Sequence, residues 1–294
     1  MIKPAFSTVA CLDWTLDKVA AAAAQWGFEA VELRTFGPDS RVGACDPALT
    51  DEDKVRSLFG ARGVEILSLA TSMRFDAPIR PPIIGLAISD TERSVREGKR
   101  AVDMAVGLEC PLIRVFGFES PAREKRGPTI ARIAKRLSMV VDHAHRTGVR
   151  LVLENAGDFA TAPEMLRVID AVGSPLLGAA YSIAPAFAHG EQPRDGIELL
   201  GDRLWLARIK DTRAGLPVAL GEGELPCHEM VCALVDAKFS GPLVFEWDRA
   251  WIPGLESPET MLPRAARTLY NWVAEQSGAC RAPAAPQIPQ RLAR

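Results

Sequence analysis

The order of hydrophobic periodicities along the chain restricts the fold of this sequence more than any other feature. Short apolar runs with strand character alternate with amphipathic stretches of helical period almost to the end of the chain. The predicted strands are residues 6–10, 30–33, 64–70, 112–116, 150–154, 177–181, 204–209 and 243–245. The predicted helices are residues 14–26, 51–62, 90–107, 128–147, 163–172, 195–200, 226–238 and 258–274. Strict alternation predicts parallel pairing, and therefore an α/β fold of the closed (β/α)8 TIM-barrel type.

The pattern predicts a single barrel domain over residues 1–276, because helices and strands alternate without an intervening linker. Residues 277–294 differ in composition: they are rich in Ala, Pro, Gln and Arg and contain few residues that could join a core. This Pro/Ala-rich C-terminal segment is predicted to be a flexible tail, and no chemistry is assigned to it.

Composition and charge exclude several classes of function. A net charge of -2 offers no basic surface for phosphate neutralisation, so no nucleic-acid partner is predicted. The N-terminus lacks a charged segment followed by an apolar one, and no uninterrupted apolar stretch approaches about 18 residues. We therefore expect a cytoplasmic protein with no membrane partner and a small-molecule substrate, and a homo-oligomer stays open.

Metal and nucleotide motifs are also missing from the sequence. The six cysteines are scattered without a Cys-x-x-Cys pair, and His143 and His145 would point in different directions on a helix. The segment Gly221-Glu222-Gly223-Glu224 lacks the strand–turn–helix context of a nucleotide-binding loop. No cofactor is predicted from these residues.

In a barrel of this type the active site lies at the carboxyl ends of the strands, so polar residues that end apolar runs are the candidates. Glu154 and Glu246 stand out because each ends a wholly apolar strand, where an unpaired charge would be costly to bury. Paired carboxylates on facing strands suit proton abstraction and return. They are equally well explained as salt-bridged structural residues, and both interpretations stay open. The wider set of candidates is Ser7, Glu32, Arg34, Ser68, Arg114, Glu154, Asn155, Tyr181, Ser182, Arg208, Lys210, Asp211, Glu246 and Asp248.

Several segments, in order, resemble one known group of barrels. They are residues 27–33, 151–155, 178–190, 209–211, 221–224 and 245–247, and the similarity extends from about residue 6 to residue 272. This sequence resembles the xylose-isomerase-like TIM barrel superfamily, which includes sugar phosphate isomerases and epimerases, related dehydratases and nucleases of the AP endonuclease 2 type. The resemblance implies the barrel fold and carbohydrate chemistry.

The resemblance also implies a divalent metal site, held by Glu, Asp, His and Glu at the ends of strands five to eight. Those positions fall on Glu154, Ser182, Arg208 and Glu246. Ser182 offers only a neutral hydroxyl, and the guanidinium of Arg208 has no lone pair to give a metal. We therefore predict a degenerate site without the Mn, Mg or Zn ion that the resemblance implies.

Arg208 is predicted to lie between Glu154 and Glu246, where its planar guanidinium would replace the metal charge. In the functional interpretation it polarises a substrate carbonyl or carboxylate. In the structural interpretation the three residues form a buried ion cluster that joins strands. Both interpretations stay open.

Other residues are predicted to bind substrate. Arg34, Arg114 and Lys210 could form a pocket for a sugar acid or phosphate, or be solvated loop charges. Ser182 lies at the same end of the barrel, and His189 could move a proton or be plain surface. Aromatic residues near the barrel mouth could stack on a sugar or belong to ordinary packing. They are Phe75, Trp247 and Trp251.

The leading hypothesis is a sugar isomerase or epimerase that acts on a small polyol, keto sugar or sugar acid. Glu154 and Glu246 would act as acid and base on opposite faces of the substrate, with Arg208 in place of the metal. The alternative is a catalytically silent barrel that binds a sugar-like ligand or a partner subunit. Repair-nuclease activity is disfavoured, because four scattered histidines cannot supply a multi-metal centre.

Overall fold

A computed structural model describes residues 2–36, 42–43, 51–78, 90–121 and 124–278. Eight parallel strands form the central sheet, and each predicted strand is present. They are β1 (Lys3–Ser7), β2 (Ala30–Phe36), β3 (Glu65–Arg74), β4 (Leu112–Phe116), β5 (Arg150–Glu154), β6 (Leu177–Ser182), β7 (Leu204–Ile209) and β8 (Pro242–Phe245).

The sheet closes on itself, because β1 pairs in parallel with both β2 and β8. Phe6 lies opposite Val31 on one side and opposite Phe245 on the other. Every other neighbouring pair in the ring is also parallel. The predicted (β/α)8 TIM barrel is confirmed.

Nine α-helices lie within the described residues, where the sequence predicted eight. They are α1 (Leu16–Trp26), α2 (Glu52–Gly60), α3 (Asp90–Gly107), α4 (Arg126–Ala144), α5 (Ala162–Val172), α6 (Ile183–Ala188), α7 (Pro193–Leu200), α8 (Cys227–Asp236) and α9 (Pro258–Gln276). The additional helix, α6, directly follows β6 and was predicted as part of a loop. Short strands Val42–Gly43, Asp211–Arg213 and Leu216–Val218 were also not predicted.

The first strand begins earlier than predicted. It covers Lys3–Ser7 rather than residues 6–10, and Thr8–Ala10 form a short 3-10 helix. The Thr8 hydroxyl accepts a hydrogen bond from the Arg34 backbone N–H at 2.9 Å, which ties this turn to β2. Pro4 lacks a backbone N–H, yet it lies close to the strand start, where proline is tolerated.

Helix ends follow their capping residues. The Thr15 hydroxyl accepts from the backbone N–H of Lys18 at 3.2 Å, and Gly27 ends α1 with φ +82°, as predicted for a C-terminal glycine. Helix α2 is capped by Asp51, whose side chain accepts from the Lys54 N–H at 3.2 Å. Thr50 immediately precedes the predicted helix 51–62 and is also a residue type that caps helices, but it lies outside the described residues.

The barrel interior contains a layer of apolar side chains, one from each strand. This layer is Ala5, Ala30, Leu67, Leu112, Val152, Ala180, Leu206 and Val244. Trp205 packs against it. The register between β6 and β7 shifts here, since Ala179 pairs with Leu204 and Ala180 with Leu206. Trp205 is therefore the extra residue of an irregular pairing, and such a bulge redirects a side chain.

Gly178 leaves the space that the indole of Trp205 occupies. A Cβ at Gly178 would lie 2.3 Å from Trp205 Cδ2, closer than packed atoms can approach. We expect Gly178→Ala to lower the free energy of unfolding by about 1–3 kcal/mol, because the bulky ring must move. Urea unfolding checks this. Gly60→Ala is the control, since a Cβ there meets nothing within 4 Å; equal effects in both variants would contradict the prediction.

The predictions on membrane-spanning segments and on the C-terminal tail can be compared only with the described part of the chain. No helix in the described ranges combines the length and apolar character that crossing a membrane requires. Residues 279–294 of the predicted tail lie outside the described residues. The flexible-tail assignment and the domain boundary at 276 stay predictions.

Candidate functional site

A layer of polar side chains lies directly above the apolar layer, toward the carboxyl ends of the strands. Side chains alternate between the two faces of a strand, so residues two positions further along face the same interior. On seven strands these positions form what we term the charged layer: Ser7, Glu32, Arg114, Glu154, Ser182, Arg208 and Glu246. All seven follow an apolar-layer residue by two. The face of the barrel that hosts active sites is thus lined by ionisable groups.

Arg208 is the centre of the charged layer. Its Nη1 donates to both carboxylate oxygens of Glu32 at 2.6 Å, and its Nη2 lies 3.1 Å from Glu246 Oε2. Its Nε lies 3.4 Å from Glu154 Oε1. The side chains of Arg208 and Glu32 are 1% and 0% exposed. We term these four residues the Arg208 cluster; they connect β2, β5, β7 and β8.

A second arginine completes the pairing of Glu154. Arg114 Nη1 donates to Glu154 Oε2, and its Nη2 donates to the Thr71 carbonyl at 3.2 Å. The Thr71 hydroxyl in turn donates to the Arg114 carbonyl at 2.5 Å. Glu154 therefore has a cationic partner on each oxygen. Two of the predicted cations, Arg114 and Arg208, hold one predicted catalytic carboxylate between them.

Two residues further toward the carboxyl ends of the strands lies a second group of charged side chains, which we term the rim. Its members Arg34, Lys210 and Asp248 follow Glu32, Arg208 and Glu246 by two residues. Lys210 Nζ lies 2.9 Å from Asp248 Oδ2 and 3.8 Å from Glu246 Oε2. Lys210 is 23% exposed in its side chain, and Glu246 is 13% exposed. These two are the most accessible members of the ion pairs described here.

The electrostatic surroundings fix the charge states of the accessible groups. Burial raises the pKa of Glu246, but the charges of Arg208, Lys210 and Arg114 outweigh it and hold the pKa well below its usual value. Burial lowers the pKa of Lys210, but Glu246 and Asp248 raise it above its usual value. Glu246 is therefore a carboxylate and Lys210 an ammonium at neutral pH.

The pKa of Asp248 is shifted in the opposite direction to that of Glu246. Burial raises its pKa and the charge of Glu246 raises it further, while Lys210 only partly offsets the shift. Its Oδ1 is buried and has no hydrogen-bond partner among the described residues. Burial and the charge of Arg114 lower the pKa of Arg34 to about 10. Arg34 therefore still carries its proton at neutral pH.

Glu246 makes acid stability a testable property of the site. Its folded pKa lies below its unfolded one, so its contribution is present above the unfolded pKa of about 4.3 and is lost as pH falls below it. We expect the unfolding free energy to fall less steeply in Glu246→Gln than in the parent between about pH 6 and pH 3. Urea unfolding at several pH values measures the slope. Glu198→Gln, in an exposed pair, should keep the parental slope; an unchanged slope in Glu246→Gln would refute the prediction.

Two buried polar residues fix the loops around the opening. The side-chain amide of Asn155 donates to the Ala160 and Ser182 carbonyls at 2.8 Å, and its Oδ1 accepts from the Ser182 N–H at 2.6 Å. Ser182 is thereby held in place beside Arg208, its register partner on β7. Asp211 accepts backbone N–H groups from the loop after β7.

Arg34, predicted to bind substrate, is held against β3. Its Nη1 donates to the Ala70 and Thr71 carbonyls at 3.1 and 2.8 Å, and its Nη2 donates to the Ser72 hydroxyl. The ring of Trp251 lies over its guanidinium at 5.5 Å and is 52% exposed. The structure thus brings Arg34 and Trp251 together.

The remaining predicted residues lie differently. Trp247 is buried, donates its indole N–H to the Glu256 carbonyl at 2.9 Å and stacks on Phe245. His189 is exposed at the end of α6, where its Nδ1 lies 2.9 Å from the Pro185 carbonyl. Phe75 is fully buried. Within the described chain no hydrogen bond or ion pair joins these three side chains to the Arg208 cluster, and their substrate-binding roles stay predictions.

Glu32 is the main partner whose role the sequence did not reveal. The sequence placed it among the strand-end candidates but gave it no role, and Arg208 was expected between Glu154 and Glu246 alone. In the structure Glu32 makes the shortest contacts with Arg208. A signal was present: Glu32 follows Ala30 by two residues, as Glu154 follows Val152. Asp248 was similarly a candidate without a role.

The residues present do not suit a divalent cation. The guanidinium of Arg208 lies among the three carboxylates that would have to ligate the ion, and it cannot donate a lone pair. Ser182 adds one neutral hydroxyl. Within the described ranges, no three His, Cys, Asp or Glu side chains are arranged to share a metal ion. The donor set therefore matches an organic cation and not a metal.

Comparisons with known proteins agree with the architecture. A family model described as a xylose isomerase-like TIM barrel matches residues 20–272. A search of curated protein sequences finds no match.

Solved structures with this fold cover nearly the whole chain. An L-ribulose 3-epimerase is 16% identical with a TM-score of 0.76, covering 96% of this chain and 100% of its own. A D-allulose 3-epimerase from Methylomonas sp. is 18% identical with a TM-score of 0.72, covering 92% and 98%. The IolI protein, solved with a zinc atom, is 16% identical with a TM-score of 0.73, covering 94% and 99%. At these identities the likeness shows the fold.

Proposed function

The chain belongs to the xylose isomerase-like TIM barrel family, and we propose that it is a sugar isomerase- or epimerase-type enzyme that moves a proton next to the carbonyl of a small keto sugar without a bound divalent metal. The observation that supports this proposal is the position of Glu246 and Lys210. Glu246 belongs to the charged layer and Lys210 to the rim, and both are partly exposed at the carboxyl ends of the strands, where barrel enzymes bind their substrates.

Each accessible group has a role that follows from its charge. Glu246 is ionised at neutral pH and is the proton acceptor. Lys210 stays protonated and donates hydrogen bonds to a substrate oxygen on which negative charge develops. Glu154, on β5, is the second carboxylate and faces the substrate from another strand. Arg208 is beneath them and almost wholly enclosed, so we assign it a positioning role: it lies between Glu154 and Glu246 and holds Glu246 ionised.

The charge balance favours a neutral substrate over a sugar acid or phosphate. The charged layer and the rim together contain four cations and four carboxylates. The cations Arg34, Arg114, Arg208 and Lys210 already contact carboxylates or backbone carbonyls. Because these positive charges are compensated, the site offers little net attraction to an anion. A sugar acid stays an alternative to be included in the substrate panel.

Deuterium exchange tests the proposal directly. The protein is incubated in D2O with a panel of ketoses, polyols and sugar acids, and incorporation at carbon is followed by NMR. We expect exchange with at least one neutral sugar, reduced at least about 100-fold in Glu246→Gln, because the proton acceptor is removed. Glu229→Gln, on the exposed surface of α8, should retain parental exchange. Exchange that survives in Glu246→Gln, or its absence across the panel, would contradict the proposal.

A second candidate function is a catalytically silent barrel that binds a sugar-like ligand or a partner subunit. The observation in its favour is that every carboxylate of the Arg208 cluster already has a cationic partner. This candidate predicts saturable sugar binding by calorimetry together with no deuterium incorporation. The two candidates therefore give opposite results in the same exchange experiment.

A further inference from the structure

Three buried carboxylates converge on one cation at the centre of the barrel. Glu32, Glu154 and Glu246 come from three different strands, and a different nitrogen of Arg208 faces each of them. Glu154 and Glu246 have second cationic partners in Arg114 and Lys210. Glu32 has none among the described residues, and its side chain is fully enclosed. Burying an ionised carboxylate in that position without a cationic partner would be costly, and Arg208 is the partner that it has.

We propose that the centre of this barrel is a cation-binding cavity which the chain fills with its own Arg208, so that a guanidinium-type cation will bind there once Arg208 is shortened, and a divalent cation only when further donor side chains are introduced. The inference deepens the proposed function, because it explains how the proposed chemistry operates with an internal positive charge. It concerns occupancy of the cavity alone, so it can be tested without substrate.

The geometry of the contacts supports an internal ligand. Arg208 extends from β7 across the interior to Glu32 on β2, so its side chain spans the barrel and its planar head meets acceptors in several directions. A guanidinium has five N–H donors in a plane and matches such an arrangement. Removing the head leaves a space of matching shape, lined by three carboxylates. Free guanidinium is therefore the probe that fits the cavity best.

The first test uses Arg208→Ala and guanidinium well below denaturing concentrations. We expect one guanidinium ion to bind per chain by calorimetry and to raise the Tm of the variant, while the Tm of the parent does not rise. The matched control is Arg208→Ala with Glu32→Gln, which removes the carboxylate that has no other partner. We expect its affinity for guanidinium to be at least about tenfold weaker, because a charge-assisted contact is lost.

The second test asks whether a metal can replace the arginine. In a variant with Ser182→Asp and Arg208→His, oxygen and nitrogen donors replace the hydroxyl and the guanidinium. We expect about one Mn2+ per chain after removal of excess ion, measured by elemental mass spectrometry, and far less in the parent. The introduced histidine is a neutral ligand and the introduced aspartate adds a negative charge. This variant therefore keeps the inference testable if Arg208→Ala does not fold.

Several results would overturn the inference. One is a folded Arg208→Ala variant whose Tm does not respond to guanidinium. Another is a parent protein that retains one Mn2+ per chain after the same treatment. Failure of deuterium exchange combined with cation binding by the variants would contradict the proposed function and leave this inference standing. Deuterium exchange without cation binding by the variants would contradict this inference and leave the proposed function standing.

Discussion

Replacing Arg208 with alanine is expected to lower the free energy of unfolding by about 3–5 kcal/mol, the usual cost of leaving a buried charge without its partner. The variant keeps Glu32, Glu154 and Glu246 inside the barrel but removes the guanidinium that contacts all three. Glu32 then has no ion-pair partner in the described part of the chain. Urea unfolding at neutral pH, followed by circular dichroism, measures the loss.

The chain contains a matched control for this prediction. Arg203 Nη1 lies 2.6 Å from Asp170 Oδ1, the same distance as Arg208 Nη1 to Glu32 Oε1, but the side chains are 48% and 60% exposed. Arg203→Ala should cost less than about 1 kcal/mol, because water solvates both partners of an exposed pair. If Arg208→Ala costs no more than Arg203→Ala, the Arg208 cluster does not contribute to stability and the structural interpretation is wrong.

The two interpretations of Arg208 that the sequence leaves open are connected in the structure. The arginine is too enclosed to contact a substrate directly, which agrees with a structural role. It also holds Glu246 ionised at the accessible edge of the charged layer, which a proton acceptor needs. A single buried cation can therefore stabilise the barrel and set the charge of the proposed base. The stability and exchange experiments separate these contributions.

The alternation of strand and helix was sufficient to predict the barrel, because apolar runs that alternate with helices indicate a parallel sheet with both faces covered, and a closed barrel is the commonest arrangement of eight such units. The same period-two rule places Glu154, Arg208 and Glu246 in one layer. It did not identify Glu32 as the nearest partner of Arg208. That contact crosses the barrel from β7 to β2, and its existence depends on the length of the arginine side chain and on strand stagger. Neither is visible in the order of residues.

Local elements without a strong apolar period were harder to predict. Helix α6 has the sequence Ile-Ala-Pro-Ala-Phe-Ala, whose proline and short length give no helical signal. The hairpin of Asp211–Arg213 and Leu216–Val218 follows the apolar strand β7, and its strands are only three residues long. Both elements lie at the carboxyl ends of strands, where tertiary contacts rather than propensity decide the conformation.

Asp211 is the contact that orders this region, and its replacement by alanine is the second large effect that we expect. Its carboxylate is buried and accepts backbone N–H groups of Gly221 and Gly223 at 2.9 Å and of Leu225 at 3.2 Å. Glycine is required at 223, because a Cβ there would lie 2.0 Å from Asp211 Oδ1. The carboxylate thus organises the loop after β7 around a single charge.

Asp211→Ala should lower the free energy of unfolding by about 3–5 kcal/mol, because three part-buried N–H groups of the loop lose a charged acceptor, and a hydrogen bond to a charged group contributes about 1.5–3 kcal/mol. Urea unfolding measures the loss. Asp158→Ala is the control: Asp158 accepts the Ser120 N–H at 2.6 Å in an exposed position, and its loss should cost about 0.5–1.5 kcal/mol.

Because Asp211 directly follows Lys210, we also expect sugar exchange to fall in Asp211→Ala and to be unchanged in Asp158→Ala. Equal stability of the two variants would show that the loop is ordered by contacts other than this carboxylate.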